Sequence, residues 1–406
     1  MANTYYVDSR AACPNADGRS PENAVSSWRS LTILPGDRIL FRRGSFFRDV
    51  LELPAGSSDA PICAGAYGEG EKPVFCGSVQ VSNPEWWTEI RENVWMCSFH
   101  FETEPGNIIF EDGSCGVLAW EEDELIKQDR WHFTFLGSDG EFDLPDEARL
   151  LLYSKGNPAL LHASIEAAVY GHRHMVSCPA HAVFEDLAFI NSGVHGYGET
   201  SPHDVAFRRC EFRYIGGKVW SKPLKIRFGN GVECWQSGEN FLVEDCLFDQ
   251  IYDSCVTHQG PGEDAGLAVN VVYRGNTFKN YGMAAYEARD KVGVGVRFEN
   301  NVCIGAGEGF SLQDETPPRR SEIWPQPMGH HLFIWRMPHD TENGSIIVRN
   351  NVFGSVPYGA AVYSIISKEA EAQFVFEDNR YEKAEGLLVR WNGENFLAET
   401  HNNPLG

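Results

Sequence analysis

Residues 242–260 read LVEDCLFDQIYDSCVTHQG, and the same phrase returns twice further along the chain. Residues 296–314 read VRFENNVCIGAGEGFSLQD, and residues 346–364 read IIVRNNVFGSVPYGAAVYS. Each phrase contains an apolar residue, two mostly polar residues, a Cys or Asn, one variable residue, and then an aromatic residue or Cys. Because self-similarity at a period of about 20 to 50 residues indicates a repeat architecture, this phrase decides the fold class.

The chain carries seven copies of this six-residue pattern. They are FEDLAF from Phe184, FRRCEF from Phe207, VEDCLF from Val243, YRGNTF from Tyr273, FENNVC from Phe298, VRNNVF from Val348 and FEDNRY from Phe376. Their fourth position is occupied by Leu187, Cys210, Cys246, Asn276, Asn301, Asn351 and Asn379. The exchange of Asn and Cys at one repeated position predicts an internal ladder, with side chains stacked at the spacing of parallel strands, roughly 4.8 Å. Cys210, Cys246 and Cys303, the last at the aromatic position, are thereby assigned to structure.

The aromatic positions of successive copies lie 23, 36, 30, 25, 50 and 28 residues apart. These intervals are typical of a solenoid with coils of about 22 to 30 residues and longer turns on one side. The pieces between Gly, Asn and Asp are short and strand-like, whereas residues 20–30, SPENAVSSWRS, have the N-cap Ser and first-turn Pro of a helix. We therefore expect an all-β, right-handed parallel β-helix spanning residues 1–406 as one domain, with a capping helix over residues 20–30. Residues 80–170 break the rhythm and predict an inserted, antiparallel, β-rich segment packed on the β-helix.

The net charge of the chain limits the classes of partner that it is expected to bind. The 406 residues include 57 Asp and Glu against 34 Lys and Arg, a formal net charge of -23. Nucleic acid binding depends on Lys and Arg displacing counterions from phosphates, so a nucleic acid partner is not expected. No apolar run is long enough for a membrane span or a signal peptide, and the 11 Cys follow no CxxC spacing. We expect a cytoplasmic protein without a membrane partner, or a secreted one if a signal peptide precedes the given sequence; the sequence does not indicate the oligomeric state.

Three segments carry a resemblance to a known group of proteins. YYVDSRAACPNADGRSPENAVSSWRSLTILPGDRILFRRG from Tyr5 resembles the entry into the first coil of right-handed β-helix proteins that act on polysaccharides. PICAGAYGEGEKPVF from Pro61 is similar to their second coil, and GNGVECWQSGENFLVEDCLFDQIYDSCVTHQG from Gly229 to their central coils. This pectate-lyase-like superfamily includes glycoside hydrolases, polysaccharide lyases, epimerases and phage tailspikes, so the resemblance implies the fold and a carbohydrate ligand. The chain lacks the matched NTD, DD, GHG and RIK motifs of polygalacturonases, and KIRF at Lys225 echoes only the last of these.

The strands that follow the aromatic position collect acidic residues. We align GVECWQS from Gly231, SCVTHQG from Ser254, AAYEARD from Ala284, EGFSLQD from Glu308 and YGAAVYS from Tyr358. Alternate residues of a strand point outward, and stacking brings equivalent residues together. The alignment predicts an outward row with the catalytic candidates Glu233, Glu287, Asp314 and His258. Glu287 and Asp314 are expected roughly 5 Å apart, with Glu233 about two coils from Glu287.

Clustered carboxyls suit a glycosidase, because one must stay protonated for the leaving oxygen while another acts ionised as nucleophile or base. Tryptophan faces bind sugar rings, and Trp324 and Trp391 are considered alongside the substrate-binding candidates Trp235, Trp335, Arg227, Arg289, His330 and Lys225. Asp253, Asp290 and Glu315 are weaker candidates, because a chain with this many acids aligns some of them by chance.

Three functions compete. The first is a glycoside hydrolase with paired carboxylates in an outer cleft. The second is a polysaccharide lyase that acts on a uronate-containing glycan by β-elimination, for which Lys225, Arg227, His258, Arg289 and Lys291 are available. The third is a non-catalytic glycan-binding β-helix. The acidic balance and the concentration of polar and aromatic residues in adjacent coils favour the hydrolase.

No cofactor or catalytic metal is expected from the sequence. GEDAG at Gly262 and DTENG at Asp340 are acidic turns, but neither has the ligand count of a defined calcium loop. The histidines of HRH at His172 have no partner at a metal-ligand spacing.

Overall fold

A computed structural model of the chain describes residues 2–13, 15–137, 144–169, 174–314, 319, 328–382 and 388–397. Three long sheets of parallel strands wind through it, so the predicted all-β parallel β-helix is confirmed. Among the described residues, no helix has both the length and the hydropathy needed to cross a bilayer.

We name the three parallel sheets by number. Sheet I has ten strands: Thr4–Val7, Arg38–Arg42, Ile62–Tyr67, Ala180–Glu185, His203–Arg208, Gly238–Glu244, Ala268–Arg274, Val296–Glu299, Ile346–Arg349 and Phe374–Glu377. Sheet II has nine: Phe46–Phe47, Val74–Cys76, Ala188–Ser192, Glu211–Ile215, Leu247–Ile251, Thr277–Tyr281, Val302–Ala306, Val352–Phe353 and Arg380–Tyr381. Sheet III has eight: Tyr197–Thr200, Val232–Trp235, Ser254–Gln259, Ala284–Arg289, His330–Met337, Val362–Ile366, Leu388–Trp391 and Glu394–Leu397, of which only the last pairs antiparallel.

The repeated phrase forms the corner between sheets I and II. Its third position has a positive φ at Asp186, Arg209, Asp245, Gly275, Asn300, Asn350 and Asp378. Asp, Asn and Gly tolerate this left-handed conformation better than other residues, which explains why six of these seven positions carry them. The chain therefore bends at the same place in every coil, and the following strand begins in sheet II.

The predicted internal ladder lies directly behind this corner. Every member of the column is buried, and the backbone N–H of each member from Cys210 to Asn351 donates to the side chain of the next. Asn301 Nδ2 donates to the backbone carbonyl of Tyr273 at 3.0 Å and to Oδ1 of Asn351 at 3.1 Å. Aromatic rings stack beside it, including Phe189, Phe212 and Phe248. The coil interior is thus a hydrophobic core edged by a hydrogen-bonded column.

The N-terminal region departs from the predicted capping helix. Residues 20–30 form two single 3₁₀ turns, Pro21–Asn23 and Trp28–Ser30. The chain between them is extended because Val25 forms a parallel bridge with Val7, which a continuous helix would prevent. Trp28 is buried and packs edge-on against Phe41 and Phe75. The other helices are also short: Pro84–Trp86, Glu122–Glu124, Pro158–Leu161, Gly262–Asp264, Gly309–Leu312 and Lys368–Glu371.

Two small sheets follow the third strand of sheet I along the chain. Three strands, Asn107–Phe110, Ile165–Ala168 and Ser78–Gln80, pair antiparallel. Five more form a second sheet in the order Val117–Leu118, Arg130–Phe133, Leu150–Tyr153, Val94–Cys97 and Trp87–Arg91, antiparallel except for the first pair. We call residues 78–168 the insertion. It has its own hydrophobic cluster around Trp131 and Phe133, which also includes Val219 of the β-helix.

Two strand pairs complete the fold. Val176–Ser177 pairs parallel with Leu51–Glu52. Lys218–Ser221 and Ile226–Phe228 form an antiparallel hairpin beside sheet III. This hairpin carries two of the candidate residues, Lys225 and Arg227.

Candidate active site

The outer face of sheet III lines a cavity of about 700 Å³. Its register pairs Glu233 with Thr257, Thr257 with Glu287, and Glu287 with Phe333. Glu233 and Glu287 therefore share one row two coils apart, as the sequence predicted, at roughly 10 Å between their backbones. Two residues further along each strand lies a second row, which consists of Trp235, Gln259, Arg289 and Trp335. A cavity of this size accommodates a small ligand.

Glu287 is held by two donors on the cavity wall. Trp335 Nε1 donates to Oε1 at 2.8 Å, and Ser254 Oγ donates to Oε2 at 3.1 Å. The residue is 2% exposed. Burial raises the pKa of Glu287 to about 7, since desolvation disfavours the charged form and Asp253 adds a negative charge nearby. Arg289 and the Trp335 hydrogen bond oppose that rise.

Glu233 lies against a neutral histidine. Its Oε2 accepts from Asn230 Nδ2 at 2.6 Å and is 3.3 Å from His195 Nδ1. That ring nitrogen also accepts from the Asn230 backbone N–H at 2.9 Å. Burial raises the pKa of Glu233 and lowers the pKa of His195 to about 4. His195 is therefore neutral near pH 7, as is the neighbouring His174, whose pKa burial also lowers to about 4.

Asp253 adds a third buried carboxyl. It directly precedes the strand Ser254–Gln259, and its Oδ1 and Oδ2 each lie 3.0 Å from Arg319 Nη2. Only 5% of the residue is exposed, yet it lines the cavity with Glu233 and Glu287. The sequence indicated it only as a weaker candidate, and the structure places it in a turn outside the strand pattern. Asn230, His195 and Arg319 escaped sequence reasoning for the same reason.

Apolar and aromatic side chains form another part of this wall. Trp235, Trp335, Phe333, Met283 and Met328 line the cavity. Arg289 lies between the two indoles, with Cζ 5.4 Å from the Trp335 ring centroid and 6.0 Å from that of Trp235. Its Nε pairs with the buried Asp290 at 3.1 Å. The arrangement presents flat apolar surfaces beside buried acids.

Lys225 and Arg227 also line the cavity. Lys225 is exposed and has a positive φ of 53°. Arg227 is buried, and its Nε and Nη2 donate to the carbonyls of Gly217 at 2.6 Å and Gly106 at 2.7 Å. Its guanidinium carbon is 4.5 Å from the ring centroid of Tyr252. The hairpin and the insertion together hold Arg227 at the cavity wall.

Asp314 is not in the predicted row. The residues aligned as its strand form the 3₁₀ turn Gly309–Leu312, and the strand that pairs with Ala284–Arg289 is His330–Met337. Gln313 and Asp314 both have positive φ angles, which a β-strand does not have. The Asp314 side chain is 51% exposed and lies 3.7 Å from Arg130. The predicted approach of Asp314 to Glu287 is therefore wrong.

His258 faces inward, so its predicted outward position is wrong. The alignment is shifted by one residue, since Cys234 pairs with His258 and Trp235 with Gln259. A slip of one residue exchanges the two faces of a strand. His258 is buried against Tyr286, whose hydroxyl is 3.3 Å from Nδ1, and burial lowers its pKa to about 4.

His330, Trp391 and Trp324 are the remaining residues that the sequence suggested for substrate binding. His330 is buried outside the residues that line the cavity, stacked on Phe333 with Nδ1 3.0 Å from the Ala360 carbonyl. Trp391 is buried in the core beside Phe374. Trp324, Glu315 and His172 lie outside the described residues.

One group of side chains has metal-ligand character. His181, His203 and Asp204 on two neighbouring strands of sheet I bring ligand atoms within 4.8 Å of one another. His181 Nδ1 is 3.2 Å from Asp204 Oδ2. None of the three lines the sheet III cavity, so this group is separate from the carboxyl cluster.

Comparisons with known proteins agree with this architecture. No protein-family model matches the sequence. A stretch of 104 residues is 38% identical to a lacto-N-biosidase of Bifidobacterium longum subsp. longum, covering 22% of this chain and 6% of that protein. XylC, solved in complex with xylose, superposes with a TM-score of 0.53 at 12% identity over 93% of this chain and 64% of that chain.

A pectate lyase, Pel9A, is also similar, with a TM-score of 0.33 and 12% identity over 94% of this chain and 78% of that one. The chain thus spans a small part of the curated relative and less than two thirds of XylC. The sheet topology identifies the chain as a parallel β-helix protein, and the superposition on XylC concerns the fold.

Proposed function

We propose that the protein is a glycoside hydrolase that cleaves a glycosidic bond of an oligo- or polysaccharide in the sheet III cavity. The observation that carries this proposal is the burial of three carboxyl groups, those of Glu233, Asp253 and Glu287, on a wall shared with tryptophan side chains. Sugar rings stack on tryptophan faces, and glycosidic cleavage needs two carboxyl groups in different protonation states. The local similarity to a lacto-N-biosidase supports the same reaction class.

Glu287 is our candidate for the general acid. Its pKa of about 7 leaves a large share of the carboxyl protonated near neutral pH, ready to donate to the leaving oxygen. Two donors hold both of its oxygens, so its orientation at the cavity wall is set before substrate binds.

The second carboxyl must act ionised. Asp253 is favoured for this role because both of its oxygens face the guanidinium of Arg319, which compensates a negative charge. Glu233 is the other candidate, since its buried carboxyl lines the same cavity. Substituting each in turn separates the two assignments.

The test measures turnover of aryl glycosides and oligosaccharides by wild type and by Glu287→Gln, Asp253→Asn and Glu233→Gln. Loss of a general acid should lower kcat by roughly 10²- to 10⁴-fold. The loss in E287Q should shrink for dinitrophenyl glycosides, because that leaving group departs without a proton. Glu239→Gln, an exposed residue of sheet I, is the matched control and should leave turnover unchanged.

The products distinguish the hydrolase from the lyase. Hydrolysis yields saturated sugars, whereas β-elimination yields a conjugated double bond that absorbs ultraviolet light. Unsaturated products, or undiminished turnover in E287Q, would reject this proposal. Saccharide binding without cleavage would point to the non-catalytic glycan-binding function.

A further inference from the structure

The histidine and carboxylate group on sheet I faces away from the core. His181 alternates along its strand with the buried Ala180 and Ala182, so its side chain lies on the outer side of the sheet. His203 and Asp204 lie on the next strand of the sheet, one coil later. Ligand atoms of the two histidines and the aspartate all lie within 4.8 Å of one another. Two successive coils therefore bring three metal-ligating side chains together at the surface.

The types of donor atom suit a transition metal. Zn²⁺ takes imidazole nitrogens and carboxylate oxygens, whereas Ca²⁺ and Mg²⁺ take oxygen ligands. In a tetrahedral zinc site with bonds of about 2.0 to 2.1 Å, neighbouring ligand atoms lie roughly 3.3 Å apart. His181 Nδ1 and Asp204 Oδ2 are already 3.2 Å apart. The ring centroids of His203 and His181 are 4.8 Å apart, so a movement of the His203 side chain alone completes the set of ligands.

Both imidazole rings are available to an ion. Apart from the contact between His181 and Asp204, neither ring forms a hydrogen bond or an ion pair with another residue that the structure describes. The side chains of His181 and Asp204 are 18% and 42% exposed. An ion can therefore reach the group from solvent without displacing an existing partner of the two rings.

A column of amide side chains holds the carboxylate of Asp204. Asn240 and Asn270 occupy the corresponding positions of the next two strands of sheet I, and all three residues have positive φ angles. Asn240 Nδ2 donates to Asp204 Oδ1 at 3.0 Å, and Asn270 Nδ2 donates to Asn240 Oδ1 at 2.8 Å. One carboxylate oxygen is thus fixed while Oδ2 faces His181. Hydrogen bonds of this kind orient the carboxylates that bind metals in proteins.

We propose that His181, His203 and Asp204 bind a Zn²⁺ ion that ties two successive coils together on the outer side of sheet I. Three protein ligands leave the fourth tetrahedral position to water. The ion has a structural role, because none of its ligands lines the sheet III cavity. The site needs both coils in register, so it exists only in the folded protein, and zinc should stabilise that state.

Calorimetry with zinc chloride in a buffer with a non-thiol reductant tests the site. We expect the wild type to bind one Zn²⁺ per chain at this site, and His203→Ala to weaken that binding at least about tenfold. Asp204→Asn keeps the size of the side chain while removing its charge, and should also weaken zinc binding. His100→Ala removes an exposed histidine of the insertion and is the matched control, so it should bind zinc as the wild type does.

Thermal unfolding gives a second measurement that does not depend on turnover. Zinc should raise the Tm of the wild type and of H100A, and should raise that of H203A less. Without zinc, H203A should unfold at the wild-type temperature, since the substitution changes a surface side chain. The inference would be overturned by a wild type that binds no zinc, or by undiminished binding in both H203A and D204N. It would also be overturned if Cys13→Ser, which removes an exposed thiol, abolished zinc binding.

Discussion

Trp335 gives the clearest example of how one residue tunes the site. Its indole N–H donates to Glu287, and this hydrogen bond stabilises the ionised carboxylate. Burial acts in the opposite direction and is the larger influence, so the pKa of Glu287 stays raised. A general acid loses its proton as pH rises through its pKa, so activity should fall on the alkaline side near pH 7.

We predict that Trp335→Phe moves this alkaline limb to higher pH. Removing the donor destabilises the ionised form, which raises the pKa of Glu287 further and keeps its proton in place at higher pH. The measurement is kcat as a function of pH for wild type and W335F. Trp95→Phe is the control, since the Trp95 indole donates to the Ser154 carbonyl within the insertion. A limb that stays in place or moves to lower pH would contradict the role assigned to Glu287.

At the scale of the structural element, the internal ladder holds successive coils in register. Asn301 connects three of them through hydrogen bonds to Asn276, Tyr273 and Asn351. Register matters for function, because Glu233, Asp253 and Glu287 belong to three successive coils of the same ladder, those of Cys210, Cys246 and Asn276. An error of one residue in that register would turn the acids into the core.

Asn301→Ala should lower the free energy of unfolding by roughly 2 to 4 kcal/mol, since it leaves buried groups of at least two neighbouring residues without partners. Urea unfolding measures the change. The neighbouring Val302→Ala replaces a side chain that is 37% exposed and should cost less than about 1 kcal/mol. Equal effects of the two substitutions would show that the ladder contributes no specific stability.

At the scale of the whole molecule, a buried ion pair joins the insertion to the β-helix. Lys218 Nζ lies 2.9 Å from Glu104 Oε1, and the two side chains are 2% and 1% exposed. The Gly137 N–H donates to the other carboxyl oxygen. Because Glu104 belongs to the insertion and Lys218 to the hairpin beside sheet III, this contact fixes the two to each other.

Lys218→Met should destabilise the protein by about 3 to 5 kcal/mol, because it leaves the Glu104 charge buried without its partner. Adding Glu104→Met should recover most of that loss. The exposed pair of Lys222 and Glu121 is the matched control, and Lys222→Met should cost about 0 to 1 kcal/mol. Thermal unfolding of the three variants provides the comparison, and a small effect of K218M alone would mean that the pair does not hold the insertion in place.

The repeated phrase by itself determined the parallel β-helix, the internal ladder and the two-coil spacing of Glu233 and Glu287. This succeeded because stacking makes each coil repeat the same local requirements, so Asn276, Asn301 and Asn351 carry the pattern visibly. The sequence also indicated Trp235, Trp335, Arg289, Lys225 and Arg227, all of which line the cavity.

Only the tertiary structure decided which side chains complete the cluster. Asp253 and Arg319 lie in turns, whose length varies between coils and which follow no period. The 40 residues from Asp290 to Gly329 separate two paired strands of sheet III, so the sequence placed Asp314 where Phe333 lies. His258 differs from its outward neighbours by one position, and no local preference distinguishes the two faces of a strand that is buried throughout.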